Sequence, residues 1–328
     1  MNGDPIYSTD TADPLRYTVV NENLKTVEVT ALSGDLNTET VVIGATVKDR
    51  YNKKTYKIIG VSIKLIRDES PFNRIKVVDM SGATNLEYIC DECFHRTEKS
   101  SLERVVMTGL TSLKKIGIKA FQNAKGSATP GKTISGIDLS HCYNLESIGN
   151  YAFEGLTGMS DINLSNSPNL SKIGEGAFRN CDMKQALFSP SYQPTEIPRY
   201  LFQNCTGLLS VSIVGTNITR LWASCFSNCS SLTLGQDFLT SMPKLDGIEA
   251  KAFENTKFSG ELDLNNNPAL YFLGSECFAG TLITKVSARN HNKLYFNSIS
   301  KNVFNNCAKL TELDFSGCND IQNIPSIG

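Results

Sequence analysis

A nine-residue pattern of apolar and polar positions recurs along most of the chain. In each copy an Ile or Leu stands five residues before a Phe, and the residue just before that Phe is apolar. The Phe positions follow one another at intervals of about 25 residues: Phe94, Phe121, Phe153, Phe178, Phe202, Phe226, Phe253, Phe278 and Phe304. A fixed period of this length indicates a solenoid in which each coil contributes one supersecondary unit.

Short stretches of alternating apolar and polar residues lie between these nonamers. The clearest are residues 75–81, 134–140, 159–165, 260–265 and 310–316. Period-2 alternation predicts half-buried strands, which stacked coils pair in parallel at about 4.8 Å. The Ile, the Phe and the residue before the Phe are therefore expected to point inward and to stack in columns.

The nonamer itself is expected to build the coil and to carry no chemistry. Gly or Pro after the Ile lets the chain bend, and we expect one turn of 3-10 or α-helix on the outer side. An Asn two residues past the Phe recurs in most copies, and we expect its side chain to hydrogen-bond backbone groups of this turn. The Asn positions are Asn123, Asn180, Asn204, Asn228, Asn255 and Asn306.

The unit L-x-x-[VI]-[DN]-[LMF]-S-x(4)-L-x-x-I-G-x(3)-F-x-N-C resembles the BspA-type leucine-rich repeat over about residues 67–328. The resemblance implies an α/β-type repeat solenoid: a curved, right-handed coil with a parallel β-sheet on its concave face and short turns on its convex face. It also implies a place on the surfaces of mouth and gut anaerobes or of some parasitic protists. Some members of the family bind host matrix proteins or other microbes, and no catalytic residues belong to it.

The first part of the chain lacks the repeat. Residues 1–14 are polar, and we expect a flexible leader. Residues 15–66 contain four apolar stretches that predict strands, at 15–20, 25–30, 39–47 and 55–61, and we interpret them as an N-terminal β cap over the solenoid's first apolar coil.

We expect about ten coils in residues 67–328, with the last one incomplete. Ile324 occupies the Ile column, and the next column Phe would fall at position 329. The sequence therefore predicts a loosely held last coil, a longer parent chain, or an end-to-end contact with a neighbour. We otherwise expect a monomer.

Charge and hydropathy exclude two classes of partner. The net charge is −1 and no long run of Lys or Arg occurs, so nucleic acid and anionic membranes are poor partners. No stretch of eighteen consecutive apolar residues is present, which predicts no membrane span.

Cysteine and histidine provide no convincing chemical site. Most of the ten cysteines fall in the repeat columns, where small buried thiols pack well, so we expect reduced side chains and no metal. The histidines, His95, His141 and His291, stand at unrelated positions of the repeat. We therefore predict no catalytic residue, no cofactor and no metal.

The strand face provides the best functional hint. In each strand the residue between the last two inward positions is expected to point to the concave surface, and this column is rich in Asp and Asn. A solvated sheet face accounts for it, and so does a mildly acidic groove for a protein or glycan. The candidate residues on this face are Asp79, Asp138, Asp161, Asn163, Asp263 and Asp314.

Trp222 is a second candidate because it replaces the usual Gly after the column Ile. An indole at this turn is a contact for a ligand or fills an irregular coil.

These features favour a non-enzymatic binding solenoid that recognises a protein or a glycan, in an adhesion-type role. A structural spacer without a ligand of its own is the alternative, and a hydrolase is a distant third. The family resemblance implies an extracellular, cell-surface or periplasmic location.

Overall fold

The computed structural model describes residues 2–10, 12–32, 38–62, 74–95, 102–123, 137–156, 158–159, 161–213, 215–294 and 299–318. It forms two compact units, Met1–Gly174 and Glu175–Gly328. Stacked coils joined by parallel β-ladders build each unit, which confirms the predicted solenoid.

In its described residues the first unit has thirteen short strands. In chain order they are β1 Pro5–Ile6, β2 Leu15–Asn21, β3 Thr26–Leu32, β4 Thr40–Val42, β5 Thr46–Lys48, β6 Thr55–Val61, β7 Val77–Asp79, β8 Tyr88–Ile89, β9 Arg104–Val106, β10 Lys115–Ile116, β11 Ser147–Ile148, β12 Asp161–Leu164 and β13 Lys172–Ile173.

The strands predicted for the lead-in are present and join the repeat ladders directly. β1, β2 and β3 are antiparallel, whereas β6 pairs in parallel with both β3 and β8. From β8 the same sheet continues through β10 and β11 to β13, and β4, β7 and β9 form a second parallel ladder. The ladders of the solenoid therefore extend back into the segment for which a cap was predicted.

The second unit repeats the two-ladder plan. Its elements are β14 Gln185–Phe188, β15 Glu196–Ile197, β16 Ser210–Val211, β17 Arg220–Leu221, β18 Thr233–Leu234, α1 Gln236–Thr240, β19 Gly247–Ile248, β20 Lys257–Asp263, a 3-10 helix Leu264–Asn266, β21 Phe272–Leu273, β22 Leu282–Ser287 and β23 Glu312–Asp314. One parallel sheet has the order β15-β17-β19-β21, and another has the order β18-β20-β22-β23.

The predicted strands at 134–140 and 310–316 have different outcomes. The stretch 134–140 is not a strand where the structure describes it, because residues 137–139 pair with no other strand. The stretch 310–316 forms β23, but the rest of the predicted last coil, residues 319–328, lies outside the described residues.

The core consists of the predicted columns. All nine column phenylalanines are buried, at 2% exposure or less. Their rings stack from coil to coil within each unit, with centroids 5.0 Å apart for Phe94 and Phe121 and 5.7 Å apart for Phe202 and Phe226. Each coil thus completes its core with its neighbours' side chains, as a solenoid requires.

The turn that carries the Phe differs from the single helical turn that the sequence predicted. In one coil Tyr200, Phe202 and Asn204 donate their N–H groups to carbonyl oxygens of the next coil, at 3.0, 2.9 and 2.8 Å. Tyr200 and Asn204 have positive φ, at 59° and 62°. Left-handed residues on both sides of the Phe interrupt a right-handed helix, and they direct these N–H groups along the solenoid axis. The turn is therefore a third hydrogen-bonded ladder.

The column asparagines also differ from their predicted role. The Asn204, Asn228 and Asn255 amide groups each donate to the side-chain oxygen of the Asn one coil earlier, at 2.8 to 2.9 Å. The side chains thus bond to one another along the second unit, and the backbone N–H groups serve the turn ladder.

All ten cysteines are thiols, and several have a defined hydrogen bond. Cys205 and Cys229 donate to the carbonyl oxygens of Phe178 and Phe202 in the preceding coil, both at 3.0 Å. These thiols therefore add side-chain bonds between coils. Within the described residues, no helix is long and apolar enough to cross a membrane.

Candidate functional site

The Asp and Asn residues of the strand face share a structural role. In five coils a side-chain oxygen of the residue accepts the backbone N–H two positions on, which closes an Asx turn at the end of the strand. The pairs are Asp79 with Ser81 at 2.9 Å, Asp138 with Ser140 at 2.9 Å, Asn163 with Ser165 at 3.2 Å, Asp263 with Asn265 at 3.0 Å, and Asp314 with Ser316 at 2.9 Å.

This turn explains why Asp and Asn recur in the column. The sequence contained a signal for this turn, because a Ser or Asn stands two residues after each of these Asp or Asn residues. The binding hypothesis did not take this signal into account. Since one oxygen of each side chain serves the turn, recognition is left to the second oxygen and to neighbouring side chains.

In the first unit the candidate residues do not form a common acidic surface. Asp79 lies in register between Val42 and Val106 on the neighbouring strands. Asp161 is exposed on β12, and Asn163 follows on the same strand.

Asp138 has a basic neighbour instead, because its carboxylate lies 3.7 Å from Nδ1 of His141. Burial acts to raise the pKa of Asp138, but hydrogen bonds from Ser140 and the nearby His141 outweigh it and lower the pKa.

In the second unit Asp263 and Asp314 belong to one cleft of about 530 Å³ on β20, β22 and β23. The strand register sets two rows of side chains across it. The first row is Glu261, Lys285 and Glu312, and the second is Asp263, Ser287 and Asp314.

Two basic side chains neutralise part of this cleft. Lys285 lies between two glutamates, with Nζ 3.7 Å from Glu261 and 3.3 Å from Glu312. Arg289 donates to Oδ2 of Asp314 through Nε and Nη2, at 3.1 and 2.7 Å. Hydrogen bonds from Ser316, followed by those from Arg289, lower the pKa of Asp314 to about 2.

Asp263 and Ser287 are the groups left for a ligand. Within the described residues, the hydrogen bonds to the Asp263 carboxylate all reach Oδ1, and the Ser287 hydroxyl has no bonded partner. The backbone of Asp263 is fixed on its other side by Gln236, whose side chain accepts the Asp263 N–H at 2.8 Å. The Asp263 carboxylate is therefore fixed through Oδ1, and Ser287 is its register neighbour on the next strand.

Trp222 is half-buried and makes defined contacts beside the β15-β17-β19-β21 ladder. Its Nε1 donates to Oε2 of Glu196 at 2.7 Å, and the guanidinium of Arg199 lies over its ring at 5.9 Å. The indole is therefore fixed in place.

Among the described residues, no group of three or more His, Cys, Asp or Glu side chains could hold a metal ion. His141 is exposed beside Asp138, whereas His291 is buried with Nε2 3.3 Å from the carbonyl oxygen of Asn267.

The comparisons with known proteins agree with this architecture. The family model for the BspA type leucine-rich repeat region matches residues 16–128, 131–238 and 238–326, with six copies. The chain belongs to the BspA-type leucine-rich repeat family. No curated protein matches its sequence.

Solved structures of proteins from several bacteria are similar to this chain. A leucine-rich repeat protein from Bacteroides ovatus has a TM-score of 0.54 and 21% identity, over 92% of this chain and 69% of that one. The T. pallidum leucine-rich repeat protein has a TM-score of 0.47 and 18% identity, over 69% of this chain and 91% of that one. The pneumococcal vaccine antigen PcpA has a TM-score of 0.47 and 14% identity, over 98% and 89%. The similarity to the Bacteroides ovatus structure supports the fold of this chain, a leucine-rich-repeat coil with a parallel sheet.

The BspA-type motif leaves the first row of the cleft free. Glu261, Lys285 and Glu312 each occupy the unspecified position before the inward Val or Leu of the strand. These three residues were missed by the sequence predictions, although period-2 alternation places them on the same face as the Asp column. They belong to this chain rather than to the repeat.

Proposed function

We propose that this BspA-type solenoid is a non-enzymatic binding protein, and that its cleft on β20, β22 and β23 receives a basic side chain of a protein partner. The observation that carries the proposal is the Asp263 carboxylate, which is fixed through Oδ1 and has its second oxygen unbonded within the described residues, in register with Ser287 on the neighbouring strand.

Charge in the cleft favours a basic group. Four carboxylates face two cations, and Lys285 is shared by two glutamates that stay 74% and 58% exposed. An incoming ammonium or guanidinium would meet Asp263 directly and gain from the excess of carboxylates around it. A neutral glycan would use the hydroxyl and carboxylate oxygens without this electrostatic gain.

We further propose a location at the cell surface or in another compartment outside the cytoplasm. The family's association with microbial surfaces supports it. Recognition of a partner on another cell or in a matrix is the adhesion-type role that would follow.

The test is a binding screen of the full chain against extracellular-matrix proteins and polysaccharides, followed by Asp263→Asn. Asn163 already closes the same turn, so this change removes the charge and keeps the fold. We expect Asp263→Asn to lower the affinity for the selected protein about five-fold. We also expect the affinity of the wild type to fall as the salt concentration rises from 50 to 200 mM.

Asp79→Asn is the matched control, because Asp79 closes the same turn between two valines. Its affinity should equal that of the wild type. Unchanged binding by Asp263→Asn, or a hit that is a neutral polysaccharide without salt dependence, would contradict the proposal.

A structural spacer is the second candidate, and the Asx turns favour it. They assign the Asp and Asn column a role that a protein without any ligand would also need. A screen that returns no partner would support the spacer.

A further inference from the structure

A strip of arginine and aromatic side chains lies along the β15-β17-β19-β21 ladder, on elements different from those of the cleft. Its members are Arg199, Tyr200, Arg220, Trp222 and Tyr271. Tryptophan, tyrosine and arginine are the residue types that dominate the energetics of protein interfaces. Here they replace small or variable positions of the repeat, so the coil itself does not require them.

The guanidinium of Arg199 lies near two aromatic rings. Its guanidinium carbon lies 6.0 Å from the ring centre of Tyr200 and 5.9 Å from that of Trp222. The Trp222 ring is anchored by its bond to Glu196, and the backbone of Tyr200 is fixed by its N–H, which donates to the carbonyl of Ala223 at 3.0 Å. Tyr200 is also covered by the guanidinium of Arg179 at 5.5 Å.

The two arginines on neighbouring coils of the strip differ in how they are satisfied. Arg220 bonds to Glu249 at 3.2 Å and to the Tyr271 hydroxyl at 2.7 Å, and it also pairs with Asp246 at 3.1 Å. Arg199 is exposed, and in the described part of the chain its guanidinium has ring contacts but no hydrogen bond or ion pair. Stacking thus orients its donors without using them, and a planar guanidinium presents paired donors to a carboxylate.

We propose that Arg199, stacked between Tyr200 and Trp222, is a second binding site, which takes a carboxylate side chain of a protein partner. The rings add apolar area around the ion pair, which suits an Asp or Glu flanked by hydrophobic residues. Glu196 is exposed next to Trp222, and Asp246 and Glu249 follow on the next coil. These carboxylates tolerate one incoming acid but repel a polyanion, which favours protein over an anionic polysaccharide.

The single tryptophan of the chain provides a local reporter for this site. We would select tryptophan-free dodecamer peptides on the full-length protein by phage display, and keep those that change its tryptophan fluorescence. Each selected peptide is then synthesised in two versions, one with its acidic residues intact and one, the amide twin, with Gln or Asn in their place. Binding is followed by Trp222 fluorescence.

The expected result is enrichment of peptides with Glu or Asp beside an apolar residue, with at least ten-fold weaker binding by the amide twins. Arg199→Lys keeps the charge but loses the planar fork, and it should weaken binding about ten-fold. Arg289→Lys, an equally conservative change in the cleft, should leave peptide binding unchanged, as should Asp263→Asn. The last variant separates this site from the proposed function of the cleft.

Several results would overturn the assignment. They are selected peptides without acidic enrichment, amide twins that bind equally, or Arg199→Lys protein that binds like the wild type. Polyglucuronate that changes Trp222 fluorescence at lower concentrations than any peptide would show a glycan site instead. Thermal unfolding of each variant checks that the fold is intact.

Discussion

At the scale of single residues, the columns show why the repeat keeps the same side chains. Phe253 packs against Phe226 and Phe278 of the adjacent coils and against Phe238 and Phe258 at its edges, all with ring centres 5.3 to 6.0 Å apart. A smaller side chain would leave a cavity shared by three coils. The packing of the column therefore explains why Phe recurs at this position.

Phe253→Ala is expected to lower the free energy of unfolding by about 3–5 kcal/mol, because it removes a fully buried ring from a stack. Urea unfolding followed by circular dichroism measures this. Leu209→Ala is the control, since Leu209 is 51% exposed, and it should change stability by less than about 0.5 kcal/mol. Equal effects of the two changes would contradict the column.

The Asn column combines a backbone and a side-chain role. Asn228 has a φ of 60°, donates to Oδ1 of Asn204 and accepts from Asn255. Asparagine tolerates the left-handed region better than most residues, and it also carries both a donor and an acceptor for the side-chain ladder.

Two substitutions separate these roles. Asn228→Gly keeps the left-handed backbone and loses the ladder bonds, so it should cost about 1–2 kcal/mol. Asn228→Ala loses both and should cost about 1 kcal/mol more. If urea unfolding shows Ala to be the milder change, the left-handed conformation is not required there.

At the scale of elements, period-2 alternation predicted four of the strands, β7, β12, β20 and β23. The ladder through the Ile column could not be predicted in this way. Its strands have two residues, as in Lys115–Ile116, and two residues contain no period. The left-handed turn was also missed, because residues as different as Lys119 and Tyr200 occupy the same position.

Where Gly149 follows the column Ile, the coils lie too close together for a residue larger than Gly. A Cβ on Gly149 would lie 2.5 Å from the backbone nitrogen of Ile118 and 2.6 Å from the carbonyl carbon of Gly117. Gly149→Ala should therefore force these coils apart and cost about 1–3 kcal/mol. Gly235 meets its nearest atom at 3.6 Å, so Gly235→Ala should be tolerated. Thermal unfolding compares the two, and equal midpoints would contradict the close packing.

At the scale of the whole molecule, the sequence singled out Asp263 and Asp314 but did not show how their carboxylates are used. Asp263 and Asp314 share a cleft because β22 lies between their strands, and that register is a property of stacking. The Asx turns depend on backbone geometry at the strand ends. Arg199 escaped prediction because its stacking joins Tyr200 in one coil to Trp222 in the next.

Buried thiols make the stability of the molecule sensitive to alkali. Burial raises the pKa of Cys142 and of Cys205 to about 12, and it raises the pKa of Cys225 as well. The unfolded chain releases these protons near pH 9, so the stabilisation is complete below pH 9 and is lost as the pH rises toward 12.

The free energy of unfolding should therefore fall above pH 9, with a slope that grows by about 1.4 kcal/mol per pH unit for each such thiol. Urea unfolding between pH 8 and pH 11 measures the slope. Cys205→Ala should reduce it, and a flat profile over this range would contradict the burial of the thiols in the folded state.

The central claim is that the recurring nonamer is a third hydrogen-bonded ladder that joins coils, and amide hydrogen exchange by NMR tests it most directly. The N–H groups of Phe202, Asn204 and Phe226 donate to the next coil, whereas those of Trp222 and Glu249, beside the strands, donate to the preceding coil. The account predicts that both sets exchange slowly and with similar protection. Exchange of the nonamer amides at the rates of an open loop, while the strand amides stay protected, would contradict it.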